Sequence, residues 1–141
     1  MNNTEKMTTS EWEVMRIVWT LGQATSREIT DILQKKHSWQ PSTIKTLIAR
    51  LEHKGYLQHN GAVRDRHYQS TITENVAMKS ILMDTLNAMC AMHIGATLAD
   101  IIKDIPLSQT DITHLEVLLA DKKQTAPQTV ACNCLSIERK C

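Results

Sequence analysis

Three of the four cysteines crowd into the last ten residues, at Cys132, Cys134 and Cys141. Deprotonated thiols are ligands for soft metal ions, and two thiols separated by one residue can close on a single ion. Copper(I) is satisfied by two or three thiolates, whereas tetrahedral zinc takes four ligands and this segment offers three. The spacing predicts a zinc or copper(I) site on these cysteines; unliganded thiols or a redox pair are the alternatives.

A second set of candidate residues shares one face of a helical pattern that begins at Pro41. Apolar residues at Ile44, Leu47, Ile48 and Leu51 form one stripe, and the opposite face carries small hydroxyls and cations with no carboxylate before Glu52. A helix in the DNA major groove needs such side chains to reach base edges and phosphates. The residues predicted to contact DNA are Ser42, Thr43, Lys45, Thr46 and Arg50, together with Arg64 and Arg66 at the tip of a following hairpin.

The elements that position these residues follow from periodicity. Helices are predicted over residues 10–21, capped by Ser10 or Thr9, and 26–36, capped by Ser26, and the third ends at Lys54 and Gly55. Residues 56–72 predict a hairpin that turns at Asn60 and Gly61. Three helices and a hairpin predict a mostly α fold, a winged helix-turn-helix with a small two-stranded wing.

The second half of the chain predicts more helices. One is expected over residues 74–93 and a shorter one over 96–103, and Ser108 with Asp111 predicts the cap of a last helix. Cys90 lies on the apolar face of the first of these helices and is expected to pack as a small hydrophobe. Because the helices cannot cover one another's apolar faces, we expect a two-fold homodimer. The predicted domains are a DNA-binding domain over 1–73, a helical dimerisation region over 74–123, and a tether with the cysteine tail over 124–141.

Composition excludes several classes of protein. No apolar run in the 141 residues approaches the roughly 18 to 20 needed to span a bilayer, and no secretory signal is recognisable, so a cytoplasmic protein is expected. No catalytic constellation stands out, so we expect no enzyme. The formal net charge of +1 hides an asymmetry, because residues 35–67 carry seven basic and two acidic side chains. That local excess suits a polyanionic partner.

Residues 11–19, and residues 39–56 with the motif Thr43-Ile44-Lys45-Thr46-Leu47 inside them, resemble the BlaI/MecI/CopY family of repressors. The Cys-x-Cys pair and residues 98–123 look most like the copper-responsive CopY branch. The resemblance implies a homodimeric repressor of copper-export genes on a palindromic TACA-x-x-TGTA operator. It also implies that zinc on the tail thiolates favours the DNA-bound form and that copper(I) displaces zinc and releases the operator.

The tail departs from the branch pattern, which has two Cys-x-Cys pairs, because only Cys141 stands where the second pair is expected. The site then uses three thiolates, or takes a fourth ligand from the other subunit or solvent, or senses copper weakly. Two other functions remain open: a family repressor with a non-metal signal, and a copper-binding buffer protein.

Overall fold

The computed structural model describes residues 5–135, which form two compact units divided between Ile81 and Leu82. The first unit contains helices α1 (Thr9–Leu21), α2 (Ser26–Lys36) and α3 (Pro41–His53). Strands β1 (Ala24–Thr25), β2 (Leu57–His59) and β3 (His67–Ser70) complete it, and helices α4 (Glu74–Asn87), α5 (Ala91–Asp104) and α6 (Gln109–Lys123) follow. None of the helices in the described part of the chain has the length and apolar character needed to cross a membrane.

The first two helices of the first unit begin with capping boxes, whereas α3 begins with Pro41 and has no side-chain cap. Thr8 caps α1 and accepts from the backbone N–H of Glu11, whose carboxylate accepts from the backbone N–H of Thr8. Thr25 and Glu28 do the same for α2. The predicted caps Ser10, Thr9 and Ser26 were therefore wrong by one or two residues, because each threonine has a glutamate three residues later and can form the reciprocal pair. The helix from Pro41 to the Lys54–Gly55 stop is confirmed.

The predicted two-stranded wing is confirmed as the hairpin of β2 and β3, and the short strand β1 adds a third antiparallel strand in the order β1-β3-β2. In β1, Ala24 pairs with Tyr68 and Thr25 with His67. The predicted turn at Asn60 and Gly61 is also longer than expected, because β2 ends at His59 and β3 begins only at His67. Residues 60–66 therefore form an extended wing loop.

The core of the first unit lies between the three helices and the sheet. Trp19 joins α1 to the end of β3, where its indole N–H lies 2.9 Å from the carbonyl oxygen of Ile72 and 3.1 Å from the hydroxyl of Ser70. The buried hydrophobic side chains from α1 to β3 are Val14, Met15, Val18, Ala24, Ile29, Leu33, Ile44, Leu47, Ile48, Leu51, Tyr56, Leu57 and Tyr68.

The later helices differ from the prediction in one place. The predicted helix over 74–93 ends at Asn87, and α5 begins at Ala91 rather than near residue 96. The last turn of α4 tightens into hydrogen bonds that span three residues, from Ala88 to Thr85 and from Met89 to Leu86. Apolar residues continue through this break, which is why periodicity did not reveal it. The predicted Ser108–Asp111 cap of α6 is confirmed as a capping box.

Candidate nucleic-acid interface and cysteine cluster

Helix α3 separates its two faces as the sequence predicts. Ile44, Leu47, Ile48 and Leu51 are buried against the core. The predicted DNA-contacting residues of this helix are all exposed: Ser42, Thr43, Lys45, Thr46 and Arg50. The Thr46 hydroxyl donates to the carbonyl oxygen of Ser42 over 2.9 Å. Neither Lys45 nor Arg50 forms a salt bridge within residues 5–135, so both charges face solvent.

The wing loop adds two more exposed cations. Arg64 and Arg66 lie on either side of Asp65, whose φ of 51° is the left-handed conformation at the tip. Arg66 donates from Nε to the carbonyl oxygen of Ala62 over 2.8 Å, which orders its side chain along the loop. The Arg64 side chain forms no salt bridge with any described residue. The wing therefore presents positive charge on an arm that extends from the sheet.

A groove of about 810 Å³ lies between the first turn of α2, the exposed side of α3 and the wing loop. Its wall carries three cations and three carboxylates: Arg27, Lys45 and Arg66, and Asp31, Glu52 and Asp65. Mixed charge makes this groove less attractive to a polyanion than the outward ridge of α3 itself.

Two other lysines of the basic segment are used within the fold. Lys54, just after α3, lies 2.8 Å from a carboxylate oxygen of Glu11, a residue of α1 that is only 1 % exposed. Lys36, in the last turn of α2, lies 2.6 Å from Glu13. The hydrogen bond from Lys36, helped by His37 and opposed by burial, holds the pKa of Glu13 below its ordinary value. These pairs fix α2 and α3 on α1 and leave fewer cations for a partner than the sequence count indicates.

The second unit contains a cluster of three cysteines. The sulfur atoms of Cys90, Cys132 and Cys134 lie within 4.8 Å of one another, and those of Cys90 and Cys132 are 3.9 Å apart. Cys90 is the N-cap residue of α5, and its side chain makes no capping hydrogen bond. Sulfur ligands at this spacing fit one soft metal ion, because a metal–sulfur bond is about 2.3 Å long. Cys132 is disulfide-bonded in the structure, so its use as a ligand requires reduction.

Contacts near the start of α5 shift the pKa values of the two other thiols, Cys90 and Cys134. Burial raises the pKa of Cys90, but hydrogen bonds from the Cys134 thiol and from the backbone N–H groups of Met92, His93 and Asn133 outweigh it, so that this pKa lies below its ordinary value. The pKa of Cys134 is raised by its hydrogen bond to Cys90, by burial and by the charge of Cys90. Cys90 is therefore the better thiolate of this pair.

The cluster differs from the predicted ligand set in one member. Cys132 and Cys134 lie together as expected, and Cys141 lies outside the described residues. Cys90 was predicted to pack on an apolar helix face; instead it stands at the break before α5, beside the tail cysteines. No signal in the sequence singles it out, because apolar residues run through the break before α5 without a proline or glycine.

Comparison with known proteins identifies the family. A model of the penicillinase repressor family matches residues 7–132. The chain belongs to the penicillinase repressor family. This confirms the resemblance to the BlaI/MecI/CopY repressors, and the family is one of repressors, as expected for a chain that is no enzyme. Membership of the copper-responsive branch remains a prediction.

Relatives match this penicillinase repressor family member along almost their whole length. A 16.5 kDa protein of Latilactobacillus sakei from the ptsI 3′ region, itself uncharacterized, is 50 % identical over 139 residues, covering 99 % of this chain and 95 % of that protein. The methicillin resistance regulatory protein MecI of Mammaliicoccus sciuri is 28 % identical, covering 86 % of this chain and 98 % of its own. The solution structure of the BlaI DNA-binding domain gives a TM-score of 0.46 at 34 % identity, covering 48 % of this chain and 83 % of its own.

Proposed function

We propose that this protein is a cytoplasmic, homodimeric transcriptional repressor that binds a palindromic TACA-x-x-TGTA operator ahead of copper-export genes. In this proposal, zinc on the C-terminal thiolates favours the bound form, and copper(I) releases the operator. The observation that carries the DNA-binding part is the outward face of α3, where exposed hydroxyls and cations stand on a helix that is buried on its other side.

The contacts to DNA come from α3 and the wing. A recognition helix places its first turns against base edges, and in α3 these turns carry Ser42, Thr43, Lys45 and Thr46 without a carboxylate. Arg50 follows on the same side and suits a phosphate, and Arg64 reaches the flanking backbone from the wing. A solution structure of Bacillus licheniformis BlaI was determined with the blaP half-operator, with a TM-score of 0.45, 32 % identity, and coverage of 50 % of this chain and 87 % of its own.

The dimer is supported by apolar surface on the later helices. No residue of α5 or α6 is buried, and Leu82 of α4 and Leu119 of α6 are 60 % and 57 % exposed. Apolar patches of this extent mark interaction sites. A second copy of the chain is the occupant that a palindromic operator requires, because two recognition helices must lie about 34 Å apart to enter successive major grooves. Leu119→Glu should shift the protein to monomers in sedimentation equilibrium; an unchanged dimer would place the interface elsewhere.

The thiolates of Cys132 and Cys134, with Cys141, supply the metal-binding part of the proposal. Their sulfur chemistry fits both zinc and copper(I), which differ in ligand number and geometry. A metal changes operator affinity only if it binds one arrangement of the dimer more tightly than the other. Zinc and copper(I) differ in the coordination they demand, and this difference gives the two ions different preferences for the arrangement of the dimer.

Fluorescence anisotropy on a labelled TACA-x-x-TGTA duplex tests the whole proposal. The reduced protein is measured with zinc, with copper(I) and with a chelator. We expect tight binding with zinc and release on addition of copper(I). DNA binding that does not change with copper would leave a family repressor with a non-metal signal. A protein that binds copper(I) but binds the duplex under none of these conditions would favour a copper buffer.

Substitutions on α3 test the recognition helix. Lys45→Ala and Arg50→Ala should each weaken operator binding at least tenfold and leave the dimer intact. Lys122→Ala, an exposed lysine in the last turn of α6, is the matched control and should bind as the wild type does. Unchanged affinity in both α3 variants would show that another element enters the groove. Cys132→Ser combined with Cys134→Ser should keep the fold but lose the response to copper, and zinc should no longer tighten its operator binding.

A further inference from the structure

We propose that Cys90 is a ligand of the thiolate site, so that a copper(I) ion held by Cys90, Cys132 and Cys134 ties the tail to the first turn of α5. This inference rests on the proposed metal response, and it replaces Cys141 by Cys90 as the third sulfur of that site.

The spacing of the sulfur atoms is close to what one ion requires. With metal–sulfur bonds of about 2.3 Å, two sulfurs on one ion lie about 3.8 Å apart in tetrahedral geometry and about 4.0 Å apart in trigonal geometry. The Cys90 and Cys132 sulfurs are 3.9 Å apart, and no pair in the cluster exceeds 4.8 Å. Closing the site therefore needs movements of less than about 1 Å, which side-chain rotation supplies.

The tail is held at this place by a contact that does not involve sulfur. The side-chain carbonyl oxygen of Asn133 accepts a hydrogen bond from the backbone N–H of Ala91 over 2.9 Å. Ala91 is the first residue of α5, so Asn133 satisfies one of the N–H groups that a helix start leaves without an internal partner. Because Asn133 stands between Cys132 and Cys134, this contact places both cysteines beside Cys90.

The residue type at position 90 supports the same role. Ser, Thr, Asp and Asn are the residues that cap helices well, and cysteine is not among them. The side chain of Cys90 makes no capping hydrogen bond, and its sulfur lies with those of the tail instead. A position where a hydroxyl would stabilise α5 thus carries a metal-ligating group.

Three thiolates favour copper(I), which accepts three sulfur ligands, over zinc, which needs a fourth. Each thiol gives its proton to solvent when the ion binds. Cys132 is disulfide-bonded in the structure, so a small thiol or phosphine must first deliver two electrons and two protons to that bond, which yields two thiols. The site forms in the reduced chain, with no change in the oxidation state of the copper.

The test uses the full-length protein, reduced with a phosphine and kept without oxygen. Copper(I) is titrated in competition with a chromophoric chelator, and the sulfur–copper charge-transfer absorption and the X-ray absorption fine structure are recorded. Cys90→Ser should weaken copper(I) binding at least tenfold and lower the sulfur coordination from three to two. Serine is a good cap, so circular dichroism should show that α5 is kept.

The matched variant is Cys141→Ser, which should bind copper(I) as the wild type does. The reverse pattern, with Cys141→Ser impaired and Cys90→Ser unaffected, overturns this inference and leaves the proposed function standing. If the wild type binds no copper(I), the inference and the proposed copper response fail together, whereas zinc-independent operator binding would survive.

Alkylation of the wild-type protein gives a readout without any substitution. Copper(I) should slow the reaction of Cys90 with N-ethylmaleimide at least tenfold, measured by mass spectrometry of the peptide that contains it. Equal alkylation of Cys90 with and without copper(I) would refute its role as a ligand, even if the tail cysteines are protected.

Discussion

Replacing Lys54 with methionine should destabilise the first unit by about 3 kcal/mol. The Lys54 ammonium lies 2.8 and 3.1 Å from the two carboxylate oxygens of Glu11, which is 1 % exposed. Removing the lysine leaves that buried carboxylate with one described hydrogen bond, from the backbone N–H of Thr8. Breaking a buried pair in this way costs about 3 to 5 kcal/mol. The lower end applies because Lys54 is 13 % exposed and water can reach its place.

The assay is urea unfolding followed by tryptophan fluorescence. Trp12 and Trp19 pack against the core and lie edge to face with ring centres 5.2 Å apart, so they report on this unit. A loss of about 3 kcal/mol is a large part of the 5 to 15 kcal/mol that stabilises a typical domain. It corresponds to a fall in melting temperature of about 12 to 24 °C.

Two further variants separate the buried charge from other effects. Glu11→Gln keeps the capping box, because glutamine serves in that position as glutamate does. Combined with Lys54→Met it removes both charges, and the double variant should be more stable than Lys54→Met alone by about 1 to 2 kcal/mol. Lys36→Met is the matched control; its partner Glu13 is 18 % exposed, and we expect a loss of about 1 kcal/mol or less.

The reasoning is wrong if Lys54→Met costs less than about 1 kcal/mol, or if the double variant is less stable than the single one. At a temperature where it is folded, Lys54→Met should bind operator DNA within about threefold of the wild type, since we assign this lysine to Glu11 and not to phosphate. A loss equal to that of Arg50→Ala would refute that assignment.

Three more perturbations have defined outcomes. Trp19→Phe removes the hydrogen-bond donor to the carbonyl of Ile72. It should lower the free energy of unfolding by about 1 to 3 kcal/mol, because the larger indole ring is lost together with the hydrogen bond. Urea unfolding followed by circular dichroism measures this loss. The pKa of Glu13 is lowered in the folded state, so its contribution to stability is present above its unfolded pKa and is lost as the pH falls through the folded one. Glu13→Gln should therefore flatten the acid limb of a pH series of urea midpoints. Ser108→Ala removes the cap of α6 and should speed amide hydrogen exchange in its first turn about fivefold, as expected for a loss of about 1 kcal/mol.

The helices of the first unit could be predicted because their signals are local. The apolar stripe of α3 lies on one side of a helix that starts at Pro41, and those four apolar residues are buried as expected. The short strand β1 could not be predicted, since two residues carry no periodicity and it exists only through pairing with β3. The wing loop was predicted too short because Asn60 and Gly61 do form a turn-like segment, but pairing with β3 begins seven residues later, at His67.

The cysteine cluster shows the other limit of sequence reasoning. Cys132 and Cys134 are recognisable as candidate ligands because they are two residues apart. Cys90 lies 42 residues before Cys132 and joins it only through the fold of the second unit. Its surroundings in the sequence are apolar, which favours packing, and the helix break that exposes its sulfur is marked by no proline or glycine.

The charge of the proposed DNA-binding surface favours the two copies that the proposed repressor requires. Seven basic residues lie within residues 35–67, but Lys36 and Lys54 are held by glutamates of α1. The five that remain for phosphates are Lys35, Lys45, Arg50, Arg64 and Arg66. If each neutralises one phosphate, the logarithm of the DNA-binding constant should fall with the logarithm of the salt concentration. The slope is about −4.5 for one protomer and about −9 for a dimer. Residues 74–141 carry eight acidic and six basic side chains and add no attraction to DNA. In the proposed repressor, a single copy is therefore a weak binder at physiological salt, and operator affinity depends on whatever holds two protomers in register.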